Sequence, residues 1–320
     1  MIESLPLEPN SQEEGIVISM QMSEWFTPWA AVTIRSILDH VSPAYRYELL
    51  CMTWDMREET ADALSTMISG LGHVSLRVVN VKDEVHSYVL RAKKQKDFDR
   101  FSQTGVIRLV LPQLLSAYDK VLNIDCDLLV RSDLWELGKM ELGDAYMMGT
   151  TDSIACYQNA CSQGGLNGQF SDDHLFRELS LTSVDDYLNA GVFLLNLKQI
   201  RLNFTTEEIM SFATKTGKFF TCYEQDTFNG LFRDKKKKFP GAWNWECEPF
   251  IREGIVYSCP SQTPWVLEYL SAEKSPKVIH FAGNVKPWTH TRMPWAYEWW
   301  RTAERTPFFR EICRRTRDGK

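Results

Sequence analysis

The sequence predicts an α/β protein: a Rossmann-like, mostly parallel sheet flanked by helices, with an aromatic and basic helical tail. Three observations carry that prediction. Strand-like apolar runs alternate with helical periods through the first eighty residues. An apolar strand, Val121 to Ile124, runs straight into the paired acids Asp125 and Asp127. The chain has 320 residues, 44% of them hydrophobic, enough for one large core or two intimate ones.

Taken in order, residues 1–14 show no periodicity and carry Pro6 and Pro9, so a flexible start is expected. Gly15 to Ser19 reads as a first buried strand. Thr27-Pro28 has the form of a helix start, Thr27 capping and Pro28 at the first helical position, with Ala31, Ile34, Ile37 and Leu38 following at helical spacing. Tyr47 to Met52 is a second strand. Glu58 to Leu71 is a second helix with Ala61, Leu64, Met67 and Ile68 on one face, and Val74 to Val81 a third strand. Arg91 to Arg100 reads as a charged loop or short helix.

Ser102 to Ala117 reads as one helix, with Ile107, Leu111 and Leu115 four apart and a single charge, Arg108. A surface ion pair would account for Arg108; its place just before the acidic strand gives a ligand or carboxylate contact equal weight. The strand that follows is the organising feature. Ligands of open α/β sheets bind beyond the carboxyl ends of strands, where Asp125 and Asp127 fall. Two hard oxygen ligands one residue apart suit Mg²⁺ or Mn²⁺. A lone Asp-x-Asp also occurs in solvated turns, but the apolar residues on both sides favour a site.

Ala145 to Thr150 is a further strand, ending near Asp152. Residues 153–187 have no sustained period, a mark of a functional or mobile insertion. Asn189 to Leu197 is a strand whose entry glycine, Gly191, permits close backbone approach. Glu207 to Phe212 and Asp226 to Phe232 read as helices, and Lys235 to Lys238 as a solvated turn. The aromatic and proline-rich stretch from Trp243 to Tyr269 shows no clear period. Val278 to Gly283 is a late strand carrying His280, with Lys286 shortly after. Imidazole can complete a site begun by two carboxylates, and lysine can meet phosphate as a point charge.

Composition narrows the function. The eight cysteines form no CxxC pair, which reads as a reduced protein. A net charge of −6 argues against nucleic-acid binding. From Arg301 onward there are seven basic and three acidic residues, so the tail carries +4 and the rest −10. Trp295, Trp299, Trp300, Phe308, Phe309, Ile312 and Cys313 offer an apolar face, with Arg310, Arg314 and Arg317 on another. Two readings stand level: the aromatics pack on the domain, or the tail lies on an anionic membrane. Neither a leader-like start nor a spanning run is evident. The expected location is therefore the cytoplasm, with the inner face of the cell membrane as a peripheral site.

Five ordered motifs resemble glycosyltransferase family 8, nearest to bacterial lipopolysaccharide galactosyl- and glucosyltransferases and distantly to glycogenin. They are Ser102…Arg108-Leu109; Lys120 to Val130; Asn189-Ala-Gly-Val192; Tyr223-Glu-Gln-Asp226…Asn229-Gly230; and His280-Phe-Ala-Gly283…Lys286-Pro-Trp288. The resemblance covers roughly Ile16 to Trp288. It implies a GT-A fold, placed here over residues 15–290 with the aromatic and basic tail following at 291–320, and a nucleotide-sugar donor, UDP-galactose or UDP-glucose, held with Mn²⁺ (or Mg²⁺). It implies Asp125, Asp127 and His280 as metal ligands and Gly283 and Lys286 at the diphosphate. Arg108, Asp152, Asn189, Ala190 and Gln225 would surround the sugar.

One departure stands out. The family's usual Asp-Asp-Asn-Tyr at the base and ribose is Ser23-Glu24-Trp25-Phe26 here, so Glu24 alone keeps an acid and Trp25 or Phe26 could stack on the base. The resemblance further implies retention at the anomeric carbon. A covalent route would use Asp152 or Asp226 as nucleophile. A front-face route would leave Gln225 to orient the sugar. The acceptor would be a glycan or glycolipid. Two other functions remain open: a sugar-phosphate nucleotidyltransferase, against which stands the lack of a glycine-rich basic loop after the first strand, and a catalytically silent nucleotide-sugar binder.

Overall fold

The computed structural model describes residues 2–10, 14–92, 103–163, 170–216 and 222–319. Among the described residues, eight strands form the main sheet: β1 (Ile2–Glu3), β2 (Gly15–Gln21), β3 (Arg46–Thr53), β4 (Val74–Asn80), β5 (Val121–Ile124), β7 (Met147–Thr151), β8 (Leu188–Leu195) and β9 (Lys236–Lys238). A small second sheet holds β6 (Leu128–Val130), β10 (Trp245–Glu246) and β11 (Val278–His280). The main order is β1-β4-β3-β2-β5-β8-β7-β9, and the small one β10-β11-β6.

The expected α/β architecture is present. The sheet is parallel from β1 through β5, and the connections from β2 to β3, β3 to β4 and β4 to β5 each carry helix. The strands at its centre are buried on both faces, which is why they read as continuous apolar runs rather than alternating ones. Helices cover both faces over two apolar clusters. Met20, Leu49 and Ile124 belong to one, and Leu50, Val121 and Phe193 to the other.

Several elements differ from the sequence reading, each for a local reason. β8 runs antiparallel to both β5 and β7, so the parallel order stops at the sheet's centre. The helix expected over Ser102 to Ala117 is two pieces, Gln103–Leu109 and Leu111–Leu114, because Pro112 lacks the N–H needed to continue the ladder. Thr27 is the first helical residue rather than the cap, its hydroxyl donating to Ser23 O. Arg91 closes a helix, Lys82–Ala92, and residues 93–100 of that charged stretch lie outside the described residues. Part of the 153–187 insertion is helical, at Ser153–Gln163. Of residues 1–14, Ile2–Glu3 pairs with β4 and Leu7 is buried.

The lysine run is an edge strand, not a turn. β9 pairs parallel with β7, and charged side chains on an edge discourage further pairing. Lys236 turns inward, its ammonium donating to Asp186 O at 2.6 Å and Asn229 Oδ1 at 2.9 Å. Burial there pulls its pKa down to about 8.

The tail is helical at Ala296–Ala303 and Phe309–Arg317. Trp299, Phe308 and Ile312 are buried in the core shared with the helix Thr27–Leu38. Arg310, Arg314 and Arg317 stay exposed. Among the described residues no helix is long and apolar enough to cross a membrane.

Candidate active site

β5 ends at Ile124, and the chain turns through Asp125-Cys126-Asp127 before entering β6 in the other sheet. That change of sheet is what leaves both carboxylates at the strand's carboxyl end. The turn is pinned from several sides. The buried Thr33 hydroxyl lies 2.9 Å from both Cys126 O and Leu128 O. Asp125 N–H donates to Gly191 O at 2.8 Å, and Phe281 N–H donates to Asp127 O at 3.1 Å. β11 pairs with both β6 and β10, so His280 is carried directly over the acidic turn.

Asp125, Asp127 and His280 each offer one ligand atom, all within 4.8 Å of one another. His280 Nε2 lies 3.7 Å from Asp125 Oδ2 and 3.5 Å from Asp127 Oδ1. The other carboxylate oxygens are held by cations of the chain itself. Asp125 Oδ1 accepts from Arg108, and Asp127 Oδ2 accepts from Lys286 at 2.5 Å. One oxygen of each acid is thus left facing the imidazole. Two hard oxygens and a nitrogen make a donor set suited to Mn²⁺ or Mg²⁺, so the residues fit the expected ion. Burial alone would raise the Asp127 pKa, but Lys286 and His280 beside it hold the carboxyl well below its usual range.

Glycine at 191 is a steric requirement. A Cβ there would stand 2.2 Å from His280 Cε1, 2.5 Å from its Nδ1 and 2.8 Å from Asn189 Oδ1. Gly283 has φ +73°, a conformation open to glycine, and the turn it makes brings Lys286 back to Asp127 and to Phe281 O.

Arg108 is buried, with all three of its guanidinium nitrogens engaged. Its guanidinium reaches Asp125, Glu224 Oε1 at 3.0 Å, Ala190 O at 3.2 Å and Gln21 Oε1 at 3.3 Å. Gln225 lies next to Glu224, on the helix Tyr223–Leu231. Its carbonyl accepts from Ala190 N–H at 2.7 Å, and its amide donates to Asp152 Oδ2 at 2.8 Å. Asn189 donates to the same Asp152 oxygen at 3.0 Å and to Glu246 Oε1 at 3.2 Å. Burial and the neighbouring Asp152 push the Glu246 carboxyl well above the usual range, although Ser153 N–H donates to it.

The expected residues Arg108, Asp125, Asp127, Asp152, Asn189, Ala190, Gln225, His280 and Lys286 therefore form one connected network, and Gly283 serves it through the turn that returns Lys286. Asp226 faces a different set. Fully buried, it accepts from Tyr187 at 2.6 Å, from His174 at 3.2 Å and from Cys222 N–H at 2.9 Å. Glu24 is likewise engaged elsewhere, bound by Arg57 and by the Thr60 hydroxyl at 2.9 Å. Sequence reasoning passed over Glu224, although it sits inside the quoted Tyr-Glu-Gln-Asp motif. It also passed over Gln21, Asn244 and Glu246, whose roles come from register and not from spacing. Asn244 donates to Asn189 Oδ1 at 2.8 Å.

A cleft of about 450 Å³ opens on this network, bounded by Met22, Ser23, Phe26, Arg108, Asp125 and Asp127. A model of glycosyl transferase family 8 matches residues 17–292. The chain belongs to glycosyltransferase family 8. The resemblance read from the five motifs is thereby met, and the GT-A fold with it. General stress protein A of Bacillus subtilis (strain 168) is 22% identical over 203 residues, 62% of this chain and 64% of that protein. The match thus spans under two thirds of that relative. Among solved structures, the bifunctional glycosyltransferase WbbM shares the fold at TM-score 0.82 and 23% identity, covering 97% of this chain and 53% of that one. The galactosyltransferase LgtC, solved with donor and acceptor sugar analogs, gives TM-score 0.71 at 20% identity, covering 91% and 96%.

Proposed function

We propose that this family 8 member is a retaining, divalent-metal-dependent hexosyltransferase. It moves galactose or glucose from a nucleotide sugar, UDP-linked by default, to a glycan or glycolipid acceptor. The observation that carries the reading is the Asp125–Asp127–His280 cluster beside Lys286 in the cleft. When bound, Mn²⁺ or Mg²⁺ would neutralise charge on the departing diphosphate. Lys286 and Arg108 supply fixed positive charge on the same side, in a place where water is partly excluded.

The hydrogen bonding supports front-face attack. Asp152 accepts from Ala155 N–H, Asn189 and Gln225, and Asp226 from three donors, so both candidate nucleophiles are committed to the scaffold. In the front-face step the bond from the anomeric carbon to the phosphate oxygen breaks as the acceptor oxygen bonds from the same side. The leaving phosphate takes the acceptor's proton. Gln225, braced at both ends of its amide, orients the sugar; Asp226 is structural. Membrane contact through the tail stays in the proposal only as electrostatic adsorption through the exposed arginines, since Trp295, Trp299, Trp300, Phe308 and Phe309 pack on the core.

Incubation with Mn²⁺ and single UDP-sugars should release UDP slowly to water, and excess chelator should stop it. Binding without turnover would instead identify a silent binder, and pyrophosphate release a nucleotidyltransferase. With acceptor, the new linkage should be α by NMR; a β linkage would sink retention. Lys286→Ala should lower kcat/KM by about 10- to 100-fold, the worth of one charged hydrogen bond to the diphosphate. An unchanged kcat/KM would remove Lys286 from the site.

A further inference from the structure

The loop between β2 and the helix Thr27–Leu38 forms one wall of the cleft through Met22, Ser23 and Phe26. Its two outer residues are held by arginines from distant segments. Arg57 binds Glu24, turning the loop's only acid away from a ligand role. Trp25 is held from the other end of the chain. Arg315, on the helix Phe309–Arg317, is only 7% exposed and lays its guanidinium 4.1 Å from the Trp25 ring centre. The same guanidinium donates to Trp25 O and to Glu311, and lies 5.0 Å from the Trp29 ring centre.

A basic residue in a solvated tail does not bury itself this way. Arg314 and Arg317, its neighbours on the same helix, are exposed, whereas Arg315 is sunk against a ring that is itself 53% exposed. A guanidinium over the ring plus a backbone hydrogen bond fixes both the side chain and the main chain of residue 25. Phe26 follows directly, packing at 5.3 Å on Trp29 and 5.8 Å on Trp288. Whatever fixes Trp25 therefore also fixes the wall that a nucleoside would meet.

We infer that Arg315 is a positioning residue for the donor nucleotide, and that the C-terminal helix is in this way part of the donor site. The inference rests on the transfer reading above. With Glu24 committed to Arg57, the order of the loop at Trp25 comes from the tail. Loss of the brace costs donor affinity, because the loop must then be ordered by the ligand itself.

The test compares Arg315→Ala, Arg315→Lys, Trp25→Ala and the exposed control Arg314→Ala in steady-state assays with Mn²⁺ and the preferred UDP-sugar. Arg315→Ala should raise the donor KM about tenfold with kcat within about twofold of wild type. Arg315→Lys should recover part of the loss, and Arg314→Ala should show none. Trp25→Ala removes the other partner from a surface loop, so it reports even if Arg315→Ala folds poorly. It should reproduce the KM rise, and the double variant should add little to it. An active wild type with unchanged donor KM in Trp25→Ala or in folded Arg315→Ala overturns this inference alone. A fall confined to kcat or to Tm does the same. A wild type inert to every UDP-sugar overturns the transfer reading and this inference with it.

Discussion

Asp127→Asn should lower kcat by about a thousandfold, a loss of about 4 kcal/mol of transition-state stabilisation, while the protein stays folded. The substitution keeps the side chain's shape, removes its charge and turns one acceptor oxygen into an amide donor. Two consequences pull in opposite directions. The cluster loses one of its two hard anionic ligands, which weakens any bound divalent ion. Lys286, now 2.5 Å from the carboxylate, loses the anion that offsets it and is left more positive toward a diphosphate. Ground-state attraction for the donor should therefore survive, and the defect should fall on kcat more than on donor KM. The apparent Mn²⁺ requirement should move to higher concentration. A Mn²⁺ titration at saturating donor, with Tm measured alongside, separates these effects. Full activity of the variant at low Mn²⁺ would rule the cluster out as the metal site.

The difference in legibility between parts of this site has a physical origin. Asp125 and Asp127 could be read because their meaning is local: a buried strand, then two acids with nothing apolar to do. His280 could be read for the same reason, as a polar residue ending an apolar strand. Glu224, Asn244 and Glu246 could not, since each gains its role from a partner far along the chain. Glu246 meets Asn189 only because β10 is registered against β11, and β10 is two residues long. The Trp243–Tyr269 stretch was unreadable because its order is the packing of aromatics and short helices onto the domain, which leaves no period. Glu24 shows the converse. An acid in the expected loop was visible, but its commitment to Arg57 depends on where a second helix begins.

The tail makes the same point about amphipathic faces. Its apolar and basic sides were plain in the sequence. Which side met the protein was a tertiary question, decided by the apolar surface of the helix Thr27–Leu38. Among the described residues Arg315 is the buried arginine of that helix, laid over the Trp25 ring, whereas Arg305, in the turn before it, reaches back to Asp39 at the surface.

Gly191→Ala should be nearly as damaging to activity as loss of the imidazole, lowering kcat/KM by about 100- to 1000-fold. The added methyl has no free direction: it meets the His280 ring at 2.2 Å and Asn189 Oδ1 at 2.8 Å. The backbone there is fixed, since Gly191 N–H donates to Asn189 Oδ1 at 2.7 Å and Gly191 O accepts from Asp125 N–H. The imidazole is the group able to move, and moving it breaks the ligand set. Overpacking of this kind costs about 1–3 kcal/mol of stability, so a folded protein with a lower Tm is expected. The mechanism makes a sharper demand than loss of function. In a His280→Ala background the methyl finds the space that the ring vacated, so Gly191→Ala should then cost much less stability than it does alone. The two activity losses should also fail to add, because both act on one ligand. Independent, additive effects on Tm and on kcat/KM would show that the glycine serves the strand and not the histidine.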